Sequence, residues 1–142
     1  MCYRSQFLFP VLLGGACLLS LSGCVPSTVG GVREMGPERQ FTFVAPENYQ
    51  PVYRKILDHV RNCYPQSMQI VVEGDLFNDT KSGTISVRAQ GPVSAAMMMV
   101  VDLSALDEQQ TKVVGYYPLG STNKRGQILK ELVLENSRKY CM

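Results

Sequence analysis

Tryptophan is missing from this chain of 142 residues, and histidine occurs once, at position 59. A metal site built from several histidines is therefore excluded within one chain. Charge is sparse as well. Only 18% of residues are charged, and the 14 Lys plus Arg and 12 Asp plus Glu are scattered along the sequence, leaving a net charge of +2. Without a basic stripe to track phosphates, nucleic acid is not an expected partner. Nucleotide-binding signatures are lacking too. Gly30-Gly31 is followed by neither GxGxxG nor Walker spacing, and nothing before it reads as a strand. What remains is a 45% apolar composition, that of one ordinary globular domain, on a chain too short to hold a second.

The apolar residues are unevenly distributed. Arg4 gives the start a positive charge, and residues 7–21 then run FLFPVLLGGACLLSL, apolar apart from one serine and broken by Pro10, Gly14 and Gly15. A charged start followed by such a run has the layout of an export signal. At about 15 residues it falls short of the roughly 20 that a helix needs to cross a bilayer core. Directly after it stands Leu21-Ser22-Gly23-Cys24. This segment resembles the lipobox of bacterial lipoproteins, an aliphatic residue and two small ones before a cysteine. Small residues at 22 and 23 let an extended backbone enter a peptidase, and the Cys24 thiol is a nucleophile that can take a thioether-linked diacylglycerol.

The resemblance implies cleavage between Gly23 and Cys24 by signal peptidase II and acylation of the new amino group. It also implies that Cys24 is the membrane anchor of an exported domain. Two or three acyl chains hold firmly where one holds marginally. Val25 follows the cysteine, where retention in a Gram-negative inner membrane usually requires Asp. The expected location is thus the cell envelope, at the outer membrane and facing the periplasm. Residues 1–23 are then the signal, 24–38 a tether and 39–142 the folded domain. The tether, CVPSTVGGVREMGPE, is rich in Gly and Pro and shows no period. As a flexible chain it would span roughly 20 Å, and about 50 Å stretched.

On this reading Cys2 and Cys17 leave with the signal and Cys24 carries lipid, so Cys63 and Cys141 remain. In an oxidising compartment they are expected to pair. Closing a loop of about 79 residues stabilises a fold by at most about 4.5 kcal/mol on loop-closure entropy. No CxxC spacing supports a redox or metal role, although His59 stands four residues before Cys63.

Periodicity predicts a β-α-β-β-β-β-α domain. Residues 39–44 alternate around Phe41 and Phe43. Asn48 caps a helix with Pro51 in its first turn, an apolar stripe of Val52, Tyr53, Ile56, Leu57, Val60 and Tyr64, and a stop at Pro65. His59 falls on the polar face, as an exposed side chain. Strands follow at Met68 to Phe77, with a bulge permitted by Gly74, and at 84–89, 95–103 and 111–117. Ser121 or Thr122 caps a second helix with Ile128, Leu129, Leu132, Val133 and Tyr140 on one stripe. Cys63 and Cys141 both fall at helix ends. The economical architecture is an α+β two-layer sandwich, an antiparallel sheet of four to five strands with both helices on one face.

No constellation of catalytic residues stands out, so no catalytic, metal or cofactor residue is assigned. Glu73 and Asp75 point the same way if the strand is regular, as paired carboxylates of glycosidases do, but acidic residues at strand ends are commonplace. Asp75, Asn78 and Asp79 lack EF-hand order. In Met97-Met98-Met99, Met97 and Met99 are expected on one face and Met98 on the other, with core packing explaining one side. The expectation is a non-catalytic binding or structural module, joined to the membrane through Cys24 and to an envelope protein of unknown identity. The rival class is a small-ligand carrier or enzyme using a helix–sheet cleft.

Overall fold

A computed structural model describes residues 25–64, 69–92, 94–136 and 141. Its core is a five-stranded antiparallel sheet, β1 (Gln40–Ala45), β2 (Ile70–Phe77), β3 (Ser82–Gln90), β4 (Ala95–Ala105) and β5 (Thr111–Tyr116), in the spatial order β1-β5-β4-β3-β2. Two helices, α2 (Tyr49–Cys63) and α3 (Thr122–Glu135), cover one face, and a short helix α1 (Val29–Arg33) precedes the first strand. The α+β class and the order of the seven predicted elements hold.

Local chemistry sets the boundaries. The Asn48 side chain accepts from the Gln50 N–H at 3.0 Å and starts α2. Ser121, the first of the two proposed caps, accepts from Lys124 N at 3.4 Å and starts α3. Asn136 ends α3 in the left-handed region at φ 52°, its N–H donating to Glu131 O. Pro65, Met68 and Tyr140 lie outside the described residues.

The alternation of each strand sorts its side chains. Phe43, Val72, Ile85, Val87, Met99, Val101, Leu103 and Val113 face the helices and join Val52, Ile56, Val60, Leu129 and Leu132 in one cluster, all at most 8% exposed. Such burial is the main favourable term in the fold. Gly74 does not carry the expected bulge, since β2 pairs with β3 in unbroken register from Ile70↔Ala89 to Phe77↔Ser82. Its lack of a side chain serves helix approach instead. A Cβ at Gly74 would stand 2.6 Å from the Tyr53 hydroxyl and 3.0 Å from Leu57 Cδ1. The bulge occurs in β4, where Val87 opposes Met99 and Arg88 opposes Met97, leaving Met98 unmatched.

Residues 25–38 are not a featureless tether. Thr28 caps α1 by accepting from Gly31 N at 3.1 Å, and Val32 is fully buried. This arm lies on the face of the sheet that α2 and α3 leave open. There Val32 packs with Met97, Val100 and Tyr116 in a second, smaller core. Spacing hides such a segment because one turn of helix is too short to display a period.

Candidate functional site

The docked arm is the feature that the sequence did not announce. Pro26 O accepts from Met97 N at 2.9 Å, so the chain joins the sheet two residues after Cys24. Immediately after Val32, the Arg33 guanidinium reaches the strands. Its Nε donates to Asp102 Oδ2 at 2.7 Å and its Nη2 to Asp102 Oδ1 at 2.6 Å. The same Nη2 donates to Thr84 Oγ1 at 3.0 Å, while the Thr84 hydroxyl donates to Asp102 Oδ1 at 2.8 Å. Thr84 and Asp102 are register partners on β3 and β4, which places both on the open face. The bond to Asp102 raises the Arg33 pKa, against the desolvation that lowers it. Gln40 closes the arm, its Nε2 donating to Met35 O at 3.4 Å.

The arm enters at one end of the sheet, formed by the start of β2, the β3–β4 turn and the start of β4. An open cavity of about 790 Å³ lies here, lined by Gln69, Ile70, Ala89, Gln90, Gly91, Pro92 and Met98. None of these residues is charged. The last turn of α2 reaches the same end, because Tyr49 at its start bonds Asn78 beyond β2 and Leu57 lies over Gly74 in mid-strand. That turn carries exposed Arg61 and no carboxylate.

The predicted site residues fall as follows. Cys24 lies outside the described residues. Cys63 and Cys141 are joined by a disulfide with Cα atoms 5.3 Å apart. Cys63 ends α2 as expected, but Cys141 is six residues past the end of α3 and lines a cavity with Lys124, Gln127, Ile128 and Glu131. His59 is not exposed. It is 5% accessible, with Nε2 3.5 Å from the Sγ of Cys63, one turn along α2.

Glu73 and Asp75 do share the open face, and Glu73 Oε1 accepts from Arg88 Nη2 at 3.2 Å. Among the described residues no group of His, Cys, Asp and Glu could hold a metal ion. Met97 and Met99 do not share a face. The bulge turns Met97 onto the side of Val32, and Met99 stays in the helix-side core, 2% and 1% exposed respectively. Met98, at the bulge, lines the cavity at the sheet end.

No protein-family model matches the chain, and no curated protein matches it. Among the described residues no helix is long and apolar enough to cross a membrane.

Proposed function

We propose that the chain is the precursor of a bacterial lipoprotein, anchored through lipid on Cys24, whose domain serves as a non-catalytic binding or structural module of the cell envelope. Its place is the outer membrane, facing the periplasm. The observation that carries this reading is Leu21-Ser22-Gly23-Cys24 at the end of a charged and then apolar start. The Cys63–Cys141 bridge is in keeping with an oxidising compartment. The layer between helices and sheet is filled, among the described residues, by fully buried Val52, Ile56, Ile85, Val101 and Leu129, which favours a docking surface over a cleft within that layer.

The anchor is tested with a Cys24→Ser precursor. It is expected to lose labelling by radioactive palmitate and to remain uncut after Gly23; normal processing and labelling would refute the anchor. The docking role is tested by crosslinking in intact cells. Adducts with a second envelope protein are expected, and recovery of monomer alone under several crosslinkers would speak against a binding module.

A further inference from the structure

The expected tether would let the domain wander tens of ångströms from the bilayer. The structure shortens that leash to almost nothing. Pro26 is already bonded to Met97 in β4, and Val25 alone separates it from Cys24. Two trans peptide units span at most about 7 Å between the Cα atoms of residues 24 and 26. A lipid on Cys24 is therefore held next to the sheet end where β4 begins.

The cavity at that end is uncharged and compatible with a lipid surface. Ile70, Ala89, Pro92 and Met98 give the cavity apolar walls, and its remaining lining residues are neutral. Gly91 and Pro92 project into solvent at the β3–β4 turn, with Gly91 N donating to Ser94 O at 2.7 Å. The backbone polar groups at the tip are thereby partly satisfied internally, as an apolar medium requires. Arg61 supplies the nearby positive charge of α2, suited to anionic headgroups. The opposite end of the sheet, where β4 runs into exposed Leu106, is about 33 Å away at the rise of an extended strand.

The geometry points to a fixed membrane-docked posture, in which the end formed by Ile70, Gly91-Pro92 and Met98 seats against the phospholipid surface beside the anchor and the Leu106 end faces away. This rests on Cys24 being the lipid anchor. The domain then presents the β2–β3 turn, the Leu106 loop and the start of α2 to the periplasm.

The absence of tryptophan gives a clean probe. Single-tryptophan variants Pro92→Trp, Gln69→Trp and Leu106→Trp of the full lipidated protein, all at exposed positions, are reconstituted into phosphatidylethanolamine and phosphatidylglycerol vesicles with or without brominated acyl chains. Flotation with the vesicles reports the anchor, and quenching reports the posture. Residues at the headgroup–acyl boundary sit within about 10 Å of the chains, so emission from positions 92 and 69 is expected to fall roughly twofold or more in brominated vesicles while position 106 is unaffected. If all three variants float and show equal or no quenching, the posture is overturned and the anchor stands. If none floats, the anchor reading fails and this inference with it.

Discussion

Arg33 and Asp102, 69 residues apart in sequence, meet in a two-point ion pair of 2.7 and 2.6 Å that fastens the N-terminal arm across the strands. The arm is fixed by two different forces. Val32 supplies apolar burial, and Arg33 supplies direction, because a planar guanidinium bonds a carboxylate in one orientation. Arg33 nevertheless keeps 43% of its side chain exposed, so solvent screens most of the Coulomb attraction.

Replacing Arg33 by Ala is therefore expected to cost little in global stability, about 1 kcal/mol or less, yet to loosen the arm. Hydrogen exchange is the suitable measurement, since local opening shows there before global unfolding does. The Met97 amide, bonded to Pro26 O, should lose protection in Arg33→Ala and in Asp102→Asn. The double variant should lose no more than either single one. Additive losses would mean that the pair is not the latch.

Val32→Ala should cost more than removal of the salt bridge, although it deletes only two carbons. Val32 is fully buried against Met97 and Val100, and about 0.8 kcal/mol per methylene plus the cavity left behind gives roughly 2 kcal/mol. Urea denaturation of the variant beside Arg33→Ala checks the ranking. A smaller loss for Val32→Ala would show that the arm is held mainly by charge.

Much of the fold was legible because its long elements repeat. The stripe from Val52 to Val60 and the Asn48 cap place the start of α2, which ends at Cys63 ahead of the expected stop at Pro65, and alternation in 84–89 and 111–117 places β3 and β5 to within two residues. What escaped detection depends on contacts between distant residues. His59 reads as polar-face by spacing, but it is buried beside Cys63, whose disulfide partner Cys141 lies far along the chain. Gly74 reads as a bulge, but Tyr53 and Leu57 need the room. Met97 changes face because the register slips at Met98. The arm was the largest miss. Val29 and Val32 stand three apart, and Thr28 is a competent cap, but a single turn surrounded by Gly and Pro cannot be told from a linker until its docking face is known.

The Cys63–Cys141 bridge joins residues 78 apart in sequence. Replacing both with Ser should destabilise the domain by up to about 4.5 kcal/mol on loop-closure entropy, a large share of the stability of a domain this size. Reductant should lower the urea midpoint of the parent to that of the double variant and leave the variant unmoved. A parent indifferent to reductant, or two free thiols in its unreduced mass spectrum, would contradict the bridge.

Gly126 offers a test in which helix propensity and packing disagree. It lies inside α3, where Ala is ordinarily favoured over Gly by about 1 kcal/mol. Here a Cβ would run into the ring of Phe41 on β1. Gly126→Ala is therefore expected to destabilise, by roughly 1–3 kcal/mol as overpacked sites do. Adding Phe41→Leu should recover part of the loss. A thermal scan showing Gly126→Ala more stable than the parent would mean that α3 can move away from β1 freely.

Alkaline pH provides the last test, through Tyr117. Its side chain is fully buried and its hydroxyl has no hydrogen-bond partner among the described residues. Burial pushes its pKa well above the ordinary tyrosine value, and burial raises Tyr116 and Tyr53 in the same direction. In the unfolded chain these phenols ionise near pH 10. Above that value the unfolded state binds fewer protons than the folded one, so the stability present below pH 10 declines as pH rises toward the folded values. The urea midpoint should thus hold steady from about pH 8 to 9.5 and fall by about pH 11. Tyr117→Phe should flatten that fall, since its ring can fill the same space without an ionisable group. An equal fall in the Phe variant would place the alkaline sensitivity elsewhere.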